Sequence, residues 1–150
     1  MSSKLDYCNS LYFNLPKSSL KRLQRVQSSL ACAVVPSTRY TDHITPTLRK
    51  LHWLPIDERI TFKIASLTYK TLNYKQPTYL LELLHPVVPT RTLRSSTQQL
   101  LKIPAIKSQI GRRSFSFSAP TVWNSLPLSL RSSPSLDLFL SRLKTHLFPP

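Results

Sequence analysis

Ten basic side chains stand in short clusters along this chain: Lys21, Arg22 and Arg25; Arg59, Lys63 and Lys70; Arg91 and Arg94; Arg112 and Arg113. Such groups are suited to holding phosphate, Arg as a planar two-point fork and Lys as a compact point charge. Over 150 residues, 21 Lys and Arg face 6 Asp and Glu, a net charge of +15. That excess implies an anionic partner, because solubility is met by a smaller charge. Nucleic acid is the leading partner class, with an anionic membrane surface ranked behind it. No base-reading motif accompanies the cations, so contacts to backbone phosphates and weak sequence specificity are expected.

Other chemistries find little support. His43, His52, His85 and His146 are scattered, and Cys8 lies 24 positions from Cys32, so no metal-ligand spacing is present. Asp57 and Glu58 are the only adjacent carboxylates, and they stand where a helix start normally places acids. A single glycine excludes a glycine-rich phosphate loop, and no nucleophile elbow surrounds any serine. His52, next to Trp53, reads as a corner residue and not as a base. The expectation is therefore a binding module with no catalytic residues, no metal and no cofactor. Two unpaired-looking cysteines and the lack of a long apolar run or a signal-like start suggest an intracellular chain, nuclear or cytoplasmic, without a membrane partner.

Thirteen prolines against one glycine favour helices joined at Pro-containing corners. The expected fold is mainly α, a small helical bundle with a short β-hairpin in the C-terminal half. One domain is expected, with a helical part over 1–86, a connector over 87–97, and a hairpin plus terminal helix over 98–150. Pro16 opens a helix whose apolar stripe is Leu20, Leu23, Val26, Leu30, Ala33 and Val34, with Lys17, Lys21, Arg22 and Arg25 opposite. Those cations sit in the half where the helix dipole disfavours them, a placement that suits binding better than stability. Thr45 is the expected N-cap of a short helix with Pro46 in its first position.

Pro55 opens the strongest helix, with Ile56, Ile60, Ile64, Leu67 and Thr71 on one stripe and Phe62 and Tyr69 on another, so it should be central. Arg59, Lys63 and Lys70, with Ser66, run between the stripes, and an anionic partner would relieve the like-charge spacing of Arg59 and Lys63. Asn73 marks its stop, and 77–84 reads as a further short helix. Residues 98–103 and 114–118 are the expected strands, the second from its Ser-Phe alternation, with Gly111-Arg112-Arg113 at the hairpin mouth. Residues 119–124 should form a brief helical turn. Ser133 and Pro134 should start the last helix, through Leu136, Phe139, Leu140, Leu143 and Leu147. The only tryptophans, Trp53 and Trp123, are each followed closely by Leu-Pro, and both read as buried anchors at corners.

The stretches Leu5-Asp6-Tyr7-Cys8-Asn9-Ser10-Leu11, Leu23-Gln24-Arg25-Val26-Gln27, Asp42-His43-Ile44-Thr45-Pro46, Leu51-His52-Trp53-Leu54-Pro55, Leu67-Thr68-Tyr69-Lys70, Leu93-Arg94-Ser95-Ser96 and Trp123-Asn124-Ser125-Leu126-Pro127 occur here in that order. Together they resemble the C-terminal region of LINE-type non-LTR retrotransposon reverse transcriptases, closest to the chicken-repeat clade, over essentially the whole chain. The resemblance implies a thumb-like domain downstream of the polymerase palm that helps hold template and primer. The partner it implies is an RNA-DNA duplex or a single strand, with the palm originally in cis. The family's Ala-Asp-Asp motif is missing, since no two aspartates are adjacent. The chain also departs from the pattern at Phe13-Asn14 and at Tyr74-Lys75, where the family usually has Gly, and at Cys32, where Arg is common. The glycine losses bear on the turns at those places and suggest a decayed genomic copy. The second reading is a protein-interaction or scaffold module whose apolar edge once docked on the palm.

Overall fold

The computed structural model describes residues 6–35, 43–87 and 99–148. Seven α-helices lie within them: α1 Lys17–Val34, α2 Ile44–Lys50, α3 Ile56–Tyr74, α4 Thr78–Leu81, α5 Phe115–Ser125, α6 Leu128–Arg131 and α7 Leu136–Leu147. Two 3₁₀ turns, Asn9–Tyr12 and Gly111–Arg113, precede α1 and α5. The mainly helical class expected from the sequence is what the chain adopts.

α3 is the axis. The Asn9–Tyr12 turn, α1, α4, α5 and α7 all pack on it. It buries Ile56, Ile60, Ile64, Ala65, Thr68, Tyr69 and Thr71, and its polar members need internal partners because no water reaches them. Thr68, Thr71 and Ser66 donate their hydroxyls to the carbonyls four residues back, at 2.8, 2.9 and 2.6 Å. The Tyr69 hydroxyl donates to the Ser133 carbonyl at 2.7 Å, and its ring stacks on Phe139 with centroids 4.3 Å apart. Burial pushes the Tyr69 phenol above its ordinary value, which keeps it a neutral donor. Trp123 stands 6.2 Å from the same Phe139 ring, so α3, α5 and α7 meet in one aromatic cluster. Leu101 joins that core too, so the 1–86 and 98–150 parts share a single interior.

The β-hairpin is absent among the described residues, and each of its two expected strands has a different fate. Residues 115–118 form the first turn of α5. The Ser-Phe alternation spans only five residues, whereas Ser118, Ala119, Val122, Trp123 and Leu126 recur with helical spacing and are all buried. That longer period wins because it puts small Ser118 and Ala119 toward the core on the side where Trp123 is buried. Pro120 within α5 forgoes one intrahelical bond. Of 98–103, the described residues form only an isolated antiparallel bridge, Pro86 with Leu101, and Gln99 just before it is left-handed at φ 50. Val87 donates to the Leu100 carbonyl at 2.9 Å and Lys102 to the His85 carbonyl at 2.7 Å. A side chain completes the pairing: Asn124 accepts from the Leu101 amide at 2.9 Å and donates to the Leu101 carbonyl at 2.8 Å. Trp123 Nε1 donates to the Gln99 carbonyl at 3.0 Å. One amide and one indole thus replace a partner strand.

Other boundaries shift for local reasons. α2 starts at Ile44 after His43, so Thr45 is not its cap and Pro46 occupies the third helical position, where an amide hydrogen would have no intrahelical partner anyway. α2 ends in a left-handed cap: His52, at φ 54, donates to the Arg49 carbonyl at 2.9 Å and Trp53 to the Leu48 carbonyl at 2.8 Å. Trp53 is only half-buried, so Trp123, at 1% exposure, is the one buried anchor of the two. On α1 the buried face is centred on Gln27 and Ala31, while Val26 and Val34 are exposed, a rotation of the expected stripe. Gln27 Nε2 donates to the Leu54 carbonyl at 2.7 Å, and Gln24 Oε1 accepts from the Ile56 amide at 3.0 Å. Two amide side chains therefore hold the corner where α3 begins. α3 runs one residue past Asn73 to Tyr74, α4 is shorter than 77–84, and α7 starts after Ser135, whose hydroxyl accepts from Leu138 at 3.4 Å. α6, after Pro127, was not expected.

Replacing Asn124 by Leu strips the buried Leu101 amide and carbonyl of their side-chain partners. With about 1–3 kcal/mol for each group left unsatisfied, Asn124→Leu should cost roughly 2–4 kcal/mol in urea unfolding, whereas Asn124→Gln should recover part of that loss.

Candidate nucleic-acid interface

Because α3 is packed on so many sides, little of it reaches solvent. Its exposed residues are Asp57 in the first turn, then Lys63, Lys70, Asn73 and Tyr74. Lys63 and Lys70 are seven positions apart, two helical turns, so they project within about 20° of each other and lie about 10 Å apart along the axis. The open line of the central helix is therefore basic at its middle. No acid of α3 shares that line: Glu58 is half-buried, and its carboxyl is raised above its ordinary value by burial and by neighbouring Asp57, with His146 of α7 opposing.

Arg59 heads the same row but is differently placed. Its side chain is 14% exposed and pairs with Asp6 at 3.3 Å. It lies among Asn9 and Tyr12 of the first turn, Leu23 of α1, and Ile56 and Ile60. The ion pair offsets its charge, so Arg59 is less available to phosphate than the sequence row suggested.

On α1, Lys17, Lys21, Arg22 and Arg25 are exposed, with Arg22 and Arg25 on the side turned away from buried Gln27 and Ala31. No acid occupies the first turn of α1 to offset them. α1 packs on α3, so the two basic sets occupy neighbouring helices. Arg112 and Arg113 belong to the 3₁₀ turn leading into α5 and not to a hairpin mouth. Arg112 is exposed and its Nε donates to the Ile106 carbonyl at 3.1 Å, while Arg113 is half-buried, with its Nε enclosed. Gly111 makes that turn possible: a Cβ there would stand 2.5 Å from Ile106 Cγ2 and 2.8 Å from Ser108 Oγ. Arg91 and Arg94 lie outside the described residues.

Lys63 and Lys70 thus stand together on one open line, Lys21, Arg22 and Arg25 on another, and Arg59, Arg112 and Arg113 are partly engaged within the fold. Lys75, outside the expected set, is exposed in a left-handed conformation at φ 54 just beyond α3. The run Tyr69-Lys70-Thr71-Leu72-Asn73-Tyr74-Lys75, basic and aromatic by turns, was the available signal. Among the described residues, no group of three or more His, Cys, Asp or Glu could hold a metal ion, and no helix is long and apolar enough to cross a membrane. Comparison with family models, curated proteins and solved structures yields no match.

Two measurements follow from these placements. Asp6→Asn leaves the largely enclosed Arg59 charge without its acid and should lower stability in urea unfolding by up to about 1 kcal/mol. Glu58 binds its proton more tightly folded than unfolded. The stability this gives is full below the ordinary carboxylate range and is lost as pH rises through the raised value. Glu58→Gln should therefore flatten the fall in stability on that side of pH 4.5, as read by thermal unfolding across pH.

Proposed function

We propose that this chain is a non-catalytic nucleic-acid-binding module derived from the post-palm, thumb-side region of a LINE-type reverse transcriptase. It grips RNA or DNA through backbone phosphates with little sequence preference. The observation that carries the reading is that the exposed line of an otherwise enclosed central helix is cationic, at Lys63 and Lys70, in a chain of net charge +15. A helix buried on nearly all sides has few positions free for partners, and these two carry the charge phosphate requires. The α1 cluster of Lys21, Arg22 and Arg25 supplies a second basic face.

The origin draws support from backbone conformation. The family carries glycine at places where this chain has Phe13-Asn14 and Tyr74-Lys75. Asn14 and Lys75 both adopt left-handed backbone, with φ of 58 and 54. Glycine enters that region without penalty, whereas Lys does so at about 1 kcal/mol or more. Left-handed backbone at these two positions is the conformation glycine suits best, which is in keeping with the resemblance.

Fluorescence anisotropy of a labelled RNA-DNA duplex against salt tests the reading. Log affinity should fall linearly with log salt, by about 0.9 per phosphate neutralised. Neutralising the strip with Lys63→Gln and Lys70→Gln should reduce that slope by roughly 1.8 for the pair. The same change at exposed Lys102 and Lys107 should alter it far less. A salt-independent response, or equal losses from both pairs, overturns the proposal.

A further inference from the structure

The basic line of α3 ends in aromatic rings. Tyr74 follows Lys70 by four residues, one helical turn on, and is 56% exposed. Lys75 follows in left-handed backbone, which ends the helix and turns the chain. Beyond that turn, Tyr79 stands on α4 at 66% exposure, and α4 packs on α3. Neither ring belongs to the aromatic cluster of Tyr69, Phe139 and Trp123, nor to the apolar core around it. An isolated exposed tyrosine is ordinary at a protein surface. Tyr74 continues the line of Lys63 and Lys70, and the two exposed tyrosines flank the left-handed Lys75 in the chain, a combination of charge and open π-face.

We infer that Tyr74 and Tyr79 form a stacking platform for unpaired bases, and that the strip formed by Lys63, Lys70, Tyr74, Lys75 and Tyr79 takes single-stranded nucleic acid in preference to duplex. Lysines follow the backbone of a single strand as they would a duplex, but only unpaired bases offer faces to tyrosine rings. Every base has such a face, so stacking adds affinity without adding sequence preference, in keeping with a chain that lacks a base-reading motif. From Lys63 to Tyr74 the line runs about 16 Å along the helix, room for cationic contacts followed by a ring. One acid, exposed Glu82, lies three residues beyond Tyr79, against three exposed lysines on the strip. The phenol hydroxyls are not needed for stacking, which separates this role from one in hydrogen bonding.

This inference rests on the nucleic-acid reading above and is tested apart from it. Anisotropy titrations of the whole chain would compare a labelled oligo(dT) strand with a mixed-sequence duplex of equal length at one salt concentration. The expected result is tighter binding of the strand, lost by about 5- to 100-fold on Tyr74→Ala or Tyr79→Ala, retained on Tyr74→Phe and Tyr79→Phe, with the duplex affinity and its salt slope unchanged by all four. Both rings are exposed, so the variants should keep the helical circular dichroism of the parent. Equal affinity for strand and duplex, or strand binding indifferent to the alanine variants, overturns the platform and leaves the phosphate-binding proposal standing. Failure to bind either probe overturns both.

Discussion

Enclosure of α3 is the constraint from which the rest of the structure follows. A nineteen-residue helix packed on by four other helices and a 3₁₀ turn has almost no solvated backbone and few solvated side chains. Its hydroxyls therefore bond its own carbonyls, and its one buried phenol finds a carbonyl on the segment before α7. Its first amide has no carbonyl within the helix to meet, and Gln24 reaches across from α1 to supply an acceptor. That cross-helix bond, with the one from Gln27 Nε2 to the Leu54 carbonyl, accompanies the inward turn of the α1 glutamines that leaves Val26 and Val34 in solvent, although Gln27 Oε1 is buried without a partner. The apolar side chains can be exposed at a cost of a few kcal/mol between them, while an unsatisfied buried amide costs about as much alone.

The segment after the connector shows the same logic at a second place. Residues 99–101 carry backbone groups into the core beside Trp123, and no second strand is there to receive them. The Asn124 side chain, with one donor and one acceptor at amide spacing, reproduces what a neighbouring peptide would offer. Trp123 adds a third bond while its ring fills the interior. The second Trp-Leu-Pro block is thus a clamp as well as a corner. The first is chiefly a helix cap, since its turn rests on His52 in left-handed backbone and leaves Trp53 half-exposed. The two blocks look alike in sequence and do different work.

Charge shapes the surface by default. With six acids in the chain, few cations can be matched, and the pairing of Asp6 with Arg59 occurs where Arg59 is largely buried and an unpaired charge would be costly. Arg131 is also buried, and Arg113 half-buried, whereas Lys17, Lys21, Arg22 and Arg25 on α1 and Lys63 and Lys70 on α3 are exposed, the α1 set near a helix start that the dipole makes unfavourable to cations. A fold that only had to be stable would exchange some of these for acids. Those exposed on α1 and along the open line of α3 are the ones the proposed phosphate binding would use.

Local pattern in the sequence determined a good deal here. The 3.6-residue spacing from Ile56 to Thr71 and from Leu136 to Leu147 made α3 and α7 legible, as well as the centrality of α3 and the row of Arg59, Lys63 and Lys70 along it. Proline and glycine counts were enough to make the class mainly helical. Only the tertiary structure decided how α1 is rotated, whether 114–118 is strand or helix, which tryptophan is buried, and that Arg59 pairs with Asp6. The physical reason is the same in each case. Periodicity reports which side of an element is apolar, but the rotation that is adopted depends on which buried polar groups find partners, and those partners, Leu54 and Ile56 for the glutamines, Leu101 for Asn124, Asp6 for Arg59, lie more than twenty residues away.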